Sequence, residues 1–291
     1  MKIKLQSILN RKPYVYDYRG FISELFREDM TSRDLTTRFT ALASAASSAR
    51  IVAKEDGVAA GLEIVRDVFL FRDRSLQVSL KFKDGDTVKD REVVCAIKGR
   101  TVSILQSERI ALNLLQRLSG VATETSRLVG LISGTGARLL DTRKTTPGMR
   151  YLEKYAVTAG GGLNHRLNLG DGILIKENHI AASGSLTAAV KNAWSRKPRH
   201  ILLEVEVKNL KELAEAFGLP VDLIMLDNFG LDMIKEAVDL RNRSGKGKKM
   251  EVSGNVTGLN IRAIAETGVD YISVGAITHS ARALDFSLLL D

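Results

Sequence analysis

Hydrophobic and polar positions along the chain change pattern three times, and each pattern predicts a different kind of structure. Through residue 50, apolar residues recur at spacings of three and four in residues 3–8, 16–26 and 39–48, which predicts helices interrupted at Pro13 and Gly20. Between residues 49 and 104 the runs become short and alternating, as at 50–53, 76–82 and 93–97, with Asp-Gly turns at Asp56 and Asp84. That pattern predicts a small mixed α/β domain with an antiparallel sheet. Residues 107–118 return to helical spacing, with Ser107 the expected N-cap and Leu112, Leu115 and Leu118 on the apolar side. Arg109 then falls in the first turn, where a cation opposes the helix dipole at roughly 0.3–1 kcal/mol.

Beyond Gly134 the alternation is regular. Strand-like runs at 138–141, 172–175, 201–206, 223–227, 250–253 and 271–274 are separated by helical stretches such as 186–194, 210–217, 231–240 and 261–267. Strand, helix, strand at this spacing means right-handed parallel crossovers. Lys144, Lys176, Glu206, Asp227, Ser253 and Gly275 each stand at or just past the C-terminal end of a strand. An open doubly wound sheet would spread those ends along an edge, whereas a closed parallel barrel gathers them on one face, where active sites form. The expected fold is therefore an α/β barrel, with six strands legible, beside a smaller N-terminal α/β domain.

The totals narrow the function. With 291 residues and 44% hydrophobic content, the chain can bury a sizeable core, and no apolar run approaches the roughly 20 residues that span a bilayer. The first 20 residues lack a continuous apolar core of the kind a secretory leader has, which points to the cytoplasm. Cys95 is the single cysteine, so neither an intrachain disulfide nor a thiolate metal cluster can form. The charge of +9 admits nucleic acid or an anionic small molecule as partner. Basic residues are scattered, apart from residues 195–200 and 246–249, and aromatics are only 5%, which argues against a nucleic-acid surface and for a small anion.

Candidate chemistry concentrates between Asp141 and His179. Arg143 and Lys144 follow a strand, His165 and Arg166 follow the glycines at 160–162, and Lys176 closes the next strand. Glu204 and Glu206 project to one face of their strand, and burying both requires cations or a metal in compensation. Glu206 and Asp227, at adjacent strand ends, suit Mg²⁺, a hard ion that binds few carboxylates together with substrate phosphates; ion pairing with Lys144 or Lys176 is the competing reading. Ser253, Gly254 and Asn255, with Val274, Gly275 and Ala276, follow the last two strands, the usual place for a phosphate cradle in such barrels. Together these features suit a phosphorylated sugar carrying pyrophosphate.

The segments SERIALNLLQRLSG, DTRKTTPGMR, NHRLNLGDGILIKENH, LEVEV, LDNF, EVSGNV and SVGAITHS, in this order, resemble those of the quinolinate phosphoribosyltransferases. The resemblance runs from about Asp34 to the end; Ser32 and Arg33 stand where that family commonly has glycines. It implies an incomplete seven-stranded α/β barrel at residues 118–277 and an α/β sandwich at 1–117 to which 278–291 returns. It also implies transfer from 5-phosphoribosyl 1-pyrophosphate to quinolinate with loss of CO₂, in the synthesis of NAD. Arg143, Arg166 and Arg109 of a neighbouring subunit would grip the two carboxylates, with His165 and Lys176 assisting and Thr145 nearby. Lys144, Lys176, Glu206 and Asp227 would serve the transfer itself. A homodimer follows from the shared arginine, with a hexamer open to it. The nearest rival is a relative of the same fold with a changed substrate, of the type associated with molybdenum transport, which is expected to lose part of the carboxylate pocket.

Overall fold

The computed structural model describes residues 1–10, 12–30, 34–41, 44–245 and 247–291. Ser32, Arg33, the middle of the third expected helix and Lys246 of the basic loop lie outside the described residues.

The N-terminal region differs most from the helical expectation. Residues 2–5 form a strand, β1 (Lys2–Leu5), because Ile3 and Leu5 are buried while Lys2 and Lys4 are exposed, a period of two. It pairs antiparallel with β2 (Tyr14–Asp17), which takes the start of the second expected helix before α1 (Arg19–Asp29) begins. The short helix α2 (Leu35–Thr40) is capped by Asp34, whose carboxylate accepts the Thr37 N–H. Phe39, read as part of a helical apolar face, is 76% exposed, and the chain is already extended in β3 (Ala46–Ala53). Then come β4 (Gly57–Val58), α3 (Leu62–Arg72), β5 (Gln77–Leu80), β6 (Thr87–Val88) and β7 (Val93–Arg100).

Helix α4 (Thr101–Leu131) starts six residues earlier than expected. Ser107 is buried inside it and its hydroxyl donates to the Ser103 carbonyl at 2.9 Å, so it is no cap. Arg109 accordingly lies beyond the first turn, and the dipole cost expected there does not arise. Leu112, Leu115 and Leu118 are buried on the core side. The division expected between 117 and 118 falls inside this one helix, which packs against α3 on one side and α5 (Arg150–Ala159) on the other.

The alternating part begins with β8 (Arg138–Leu140), ahead of α5, and continues through β9 (Ile173–Ile175), α6 (Glu177–Ser183), α7 (Leu186–Arg196), β10 (Leu203–Val207), α8 (Leu210–Phe217) and β11 (Leu223–Asp227). It ends with α9 (Leu231–Ser244), β12 (Lys249–Ser253), α10 (Ile261–Glu266), β13 (Tyr271–Ser273) and α11 (Ala276–His279). The six strands pair in parallel in the order β8-β13-β12-β11-β10-β9. The last strand, β14 (Phe286–Leu290), leaves this sheet and pairs antiparallel with β3, giving a second sheet in the order β14-β3-β7-β5.

The parallel sheet curves into a barrel whose wall is incomplete between β8 and β9. Beside β8 only a bridge from Leu163 to Leu140 extends it, and Asn164 in turn bridges to Ser7. The Leu9 carbonyl accepts the Leu202 N–H at 3.3 Å, so residues 7–9 span from that bridge toward β10. Gly172 makes room for this plug, since a Cβ there would fall 2.7 Å from the Leu9 Cβ. Among the described residues, no helix is long and apolar enough to cross a membrane.

Candidate active site

A cavity of about 570 Å³ opens at the C-terminal ends of the parallel strands. The polar residues expected there mostly meet in it. Arg143, Lys144, His165, Arg166 and Lys176 line it. Asp227 and the two expected cradle segments, Ser253 to Asn255 and Val274 to Ala276, line it as well. Parallel pairing accounts for this convergence: Asp227, Ser253 and Ser273 are register partners across β11, β12 and β13.

The loop after β8 is held from behind. Asp141 is fully buried and accepts the His165 N–H at 2.9 Å and an Asn164 Nδ2–H at 2.8 Å. Its third donor is the ammonium of Lys154 on α5, which is equally buried and also donates to the His165 carbonyl at 3.3 Å. Burial pushes the Asp141 carboxyl up and the Lys154 ammonium down from their ordinary values. Three convergent donors nevertheless need the charged carboxylate, so the pair stays ionic. A second buried acid, Glu153, takes Arg117 of α4 at 2.7 Å and the Thr146 N–H at 3.0 Å, fixing the far end of the same loop.

Arg143 reaches the cavity with its Nε buried and without a hydrogen-bond partner. Arg166, which donates to the Gly172 carbonyl at 3.2 Å, has its pKa lowered by burial and by the charge of Arg143. Two guanidinium groups near enough to influence each other in one cavity suit an anion that can accept from both. Lys144 flanks Gly275, where a Cβ would fall 3.1 Å from the Lys144 Cδ and 3.2 Å from the His279 Nε2. Those two side chains would have to give way by a few tenths of an ångström to any larger residue at 275.

His165, expected to assist the arginines, is itself engaged by the protein at both ring nitrogens. Its Nδ1 accepts the Arg166 backbone N–H at 2.8 Å, which assigns the ring hydrogen to Nε2, and Nε2 lies 3.0 Å from Glu204 Oε2. Both nitrogens are thus committed within the protein, and burial lowers the pKa, so the ring is neutral. Glu251 Oε2 lies 3.6 Å from the same Nε2. Glu204 and Glu251 are fully buried, and burial pushes both carboxyls up to about 8, for Glu251 with the Glu204 charge adding to it. His165, Glu204 and Glu251 bring ligand atoms within 4.8 Å of one another. They do not fit a metal, because a ring whose Nδ1 is an acceptor would have to ligate as an imidazolate.

Three expected site residues stand apart. Glu206, on β10, accepts from the Lys176 ammonium at 2.6 Å, as the ion-pairing alternative anticipated. Thr145 accepts from Arg150 Nε at 3.1 Å outside the cavity lining. Arg109 is exposed in a separate cavity of about 160 Å³ between α1 and α4, beside Phe21, Leu25 and Ile110. Asp227, by contrast, lines the cavity and accepts from Asn228 Nδ2 on Oδ2, and among the described residues no hydrogen bond reaches its Oδ1.

Sequence reasoning passed over Thr142, Asn228, Glu251, Ser273 and His279, all in the cavity wall. Glu251 had a legible signal, since it alternates with Ser253 on one strand as Glu204 does with Glu206. Lys154 had none: a lysine within YLEKYAVTA reads as solvated.

Comparison with known proteins agrees over both parts of the chain. Residues 34–119 match the quinolinate phosphoribosyl transferase N-terminal domain and residues 121–289 its C-terminal domain. A probable nicotinate-nucleotide pyrophosphorylase [carboxylating] of Bacillus subtilis is 42% identical over 93% of this chain and 92% of its own. Quinolinate phosphoribosyltransferase [decarboxylating] 1 of Nicotiana glauca is 36% identical over 100% of this chain and 87% of its own. The crystal structure of NadC from Streptococcus pyogenes superposes with a TM-score of 0.89 at 40% identity, covering 94% of this chain and 96% of that one.

Proposed function

Because this chain belongs to the quinolinate phosphoribosyltransferase family, we propose that its cavity transfers a phosphoribosyl group from 5-phosphoribosyl 1-pyrophosphate to quinolinate and releases CO₂, giving nicotinate mononucleotide for NAD synthesis. The observation that supports the assignment of roles is that Arg143, Arg166 and the two glycine-containing loops line one cavity. The arginines suit a dicarboxylate and the loops a phosphate.

In this arrangement the arginines hold the pyridine ring with its nitrogen toward the ribose carbon. The nitrogen forms its bond to that carbon as the carbon–oxygen bond to pyrophosphate breaks, and Lys144 and Lys176 stabilise the charge gathering on the leaving group. The positive charge now on the ring nitrogen stabilises the electron pair left on the adjacent ring carbon when its carboxylate departs as CO₂, and that pair then takes up a proton. Asp227 lines the ribose end, and Glu206 stands outside the lining, paired with Lys176. Asp227, with its free Oδ1, fits a hard divalent cation, whereas Glu206 joins it only by exchanging its contact with Lys176. Mg²⁺ there would neutralise pyrophosphate charge during departure.

The deciding assay measures nicotinate mononucleotide and CO₂ from quinolinate and 5-phosphoribosyl 1-pyrophosphate, with Mg²⁺ supplied or chelated. Equal amounts of both products are expected, falling by about tenfold or more without the ion. No product from quinolinate, with pyrophosphate released on another aromatic acid, would move the activity to the relative of changed substrate.

Arg109 does not line the main cavity but is exposed in the separate groove between α1 and α4, a position that suits contact with a second copy of the chain. In this reading the enzyme is a cytoplasmic homodimer in which each subunit's Arg109 completes the other's site, with a hexamer as a further assembly of such dimers. Arg109→Ala and Arg143→Ala subunits, each nearly inactive alone, should regain activity when mixed, since one of the two sites in a heterodimer is then intact. Absence of any recovery after verified subunit exchange would rule out the shared site.

A further inference from the structure

The ends of β11 and β12 carry an unusual backbone. Asn228, Gly254 and Asn255 all have positive φ, at 56°, 93° and 53°, and the Asn228 N–H donates to the Ser253 carbonyl at 2.8 Å, tying the two strand ends together. Positive φ is disfavoured for residues with a side chain, although asparagine tolerates it better than most. Two such asparagines facing each other point to a use for their amides.

The amides form a chain. Asn255 Nδ2 donates to Asn228 Oδ1 at 3.1 Å, and Asn228 Nδ2 donates to Asp227 Oδ2 at 3.0 Å. The orientation of the Asn228 amide follows, because its oxygen facing the carboxylate would set acceptor against acceptor. Asn260 Nδ2 extends the chain by donating to the Asn255 carbonyl at 2.9 Å. Gly254 is shaped to this arrangement: a Cβ there would lie 2.1 Å from Asn228 Oδ1. Asn228, Gly254 and Asn255 also form the partition between the main cavity and a smaller one of about 230 Å³ behind it.

We propose that Asn228 is a positioning residue for the phosphoribosyl end of the site, clasping the Asp227 carboxylate to the loop at residues 253–255 so that both meet one ligand in a single arrangement. The inference rests on the functional reading above, in which that end takes 5-phosphoribosyl 1-pyrophosphate. It concerns that end of the site, since Arg143 and Arg166 hang from other loops and, among the described residues, no hydrogen bond joins them to the clasp.

The test compares the intact enzyme with Asn228→Asp and Asn228→Gly. The aspartate keeps the shape and the acceptor for Asn255 but loses the donor to Asp227; the glycine keeps the backbone conformation and loses both contacts. Each variant should bind 5-phosphoribosyl 1-pyrophosphate about tenfold more weakly by calorimetry and show a matching rise in its KM. The KM for quinolinate should stay within about twofold. Gly254→Ala, which leaves Asn228 in place but displaces its amide, should copy the effect. Affinity unchanged in Asn228→Gly would overturn the clasp, as would equal weakening toward both substrates, the mark of a merely structural role. If the unsubstituted enzyme itself fails to bind 5-phosphoribosyl 1-pyrophosphate, the functional reading fails first, and that result is distinct from either.

Discussion

Arg143→Ala should lower kcat/KM for quinolinate by about 2 to 5 kcal/mol, the range for truncating one partner of a buried charge pair, or roughly 30-fold to several thousand-fold at 1.4 kcal/mol per tenfold. The expectation follows from what Arg143 lacks. Its Nε is buried without an acceptor, and the neighbouring Arg166 repels it. A planar dicarboxylate supplies the acceptors and cancels the repulsion together, so the gain on binding is large. Arg143→Lys keeps the charge without the fork and should recover only part of the loss. Steady-state kinetics with quinolinate varied at saturating 5-phosphoribosyl 1-pyrophosphate measures this directly, and near-normal values would remove Arg143 from the pocket.

The largest expected loss of stability belongs to Lys154→Ala. Its ammonium and the Asp141 carboxylate are both fully buried, and removing one partner leaves the other charge stranded, which costs about 3–5 kcal/mol. Urea unfolding, followed by fluorescence and by circular dichroism to establish a single transition, gives the difference. The double variant Asp141→Asn, Lys154→Met should recover part of it, because no uncompensated charge then remains. A loss below about 1 kcal/mol for Lys154→Ala would mean that water reaches the site or that Asp141 is already neutral. Because Asp141 also holds the His165 N–H, the same variant should weaken substrate binding as well as stability.

Several elements were legible because their patterns are local. The helices at 186–196, 210–217 and 231–244 and the strands at 223–227 and 249–253 have apolar residues on one face or in one continuous run, with turn residues between. The N-terminal strands β1 and β2 were not, since in four residues an alternating pattern and a helical one share most of their apolar positions. The early start of α4 was hidden because its first two turns carry buried serines and a threonine, which read as a cap region.

The site divides in the same way. Arg143, Lys144, Lys176, Asp227, Ser253 and Gly275 could be placed on one face from their positions after strands alone, since in a parallel barrel every strand delivers its C-terminal end to the same side. The contact of His165 with Glu204, the engagement of Glu206 by Lys176 and the clasp at Asn228 depend on partners 39, 30 and 27 residues away along the chain, and no local pattern announces them.

What the sequence determined by itself is the periodicity of the barrel, the face on which its chemistry gathers and the family to which its motifs belong. Tertiary structure alone decided which cations remain free for substrate. Charge in a cavity is set by burial and by the nearest hydrogen-bond partner, and both are properties of the folded arrangement, not of the order of residues.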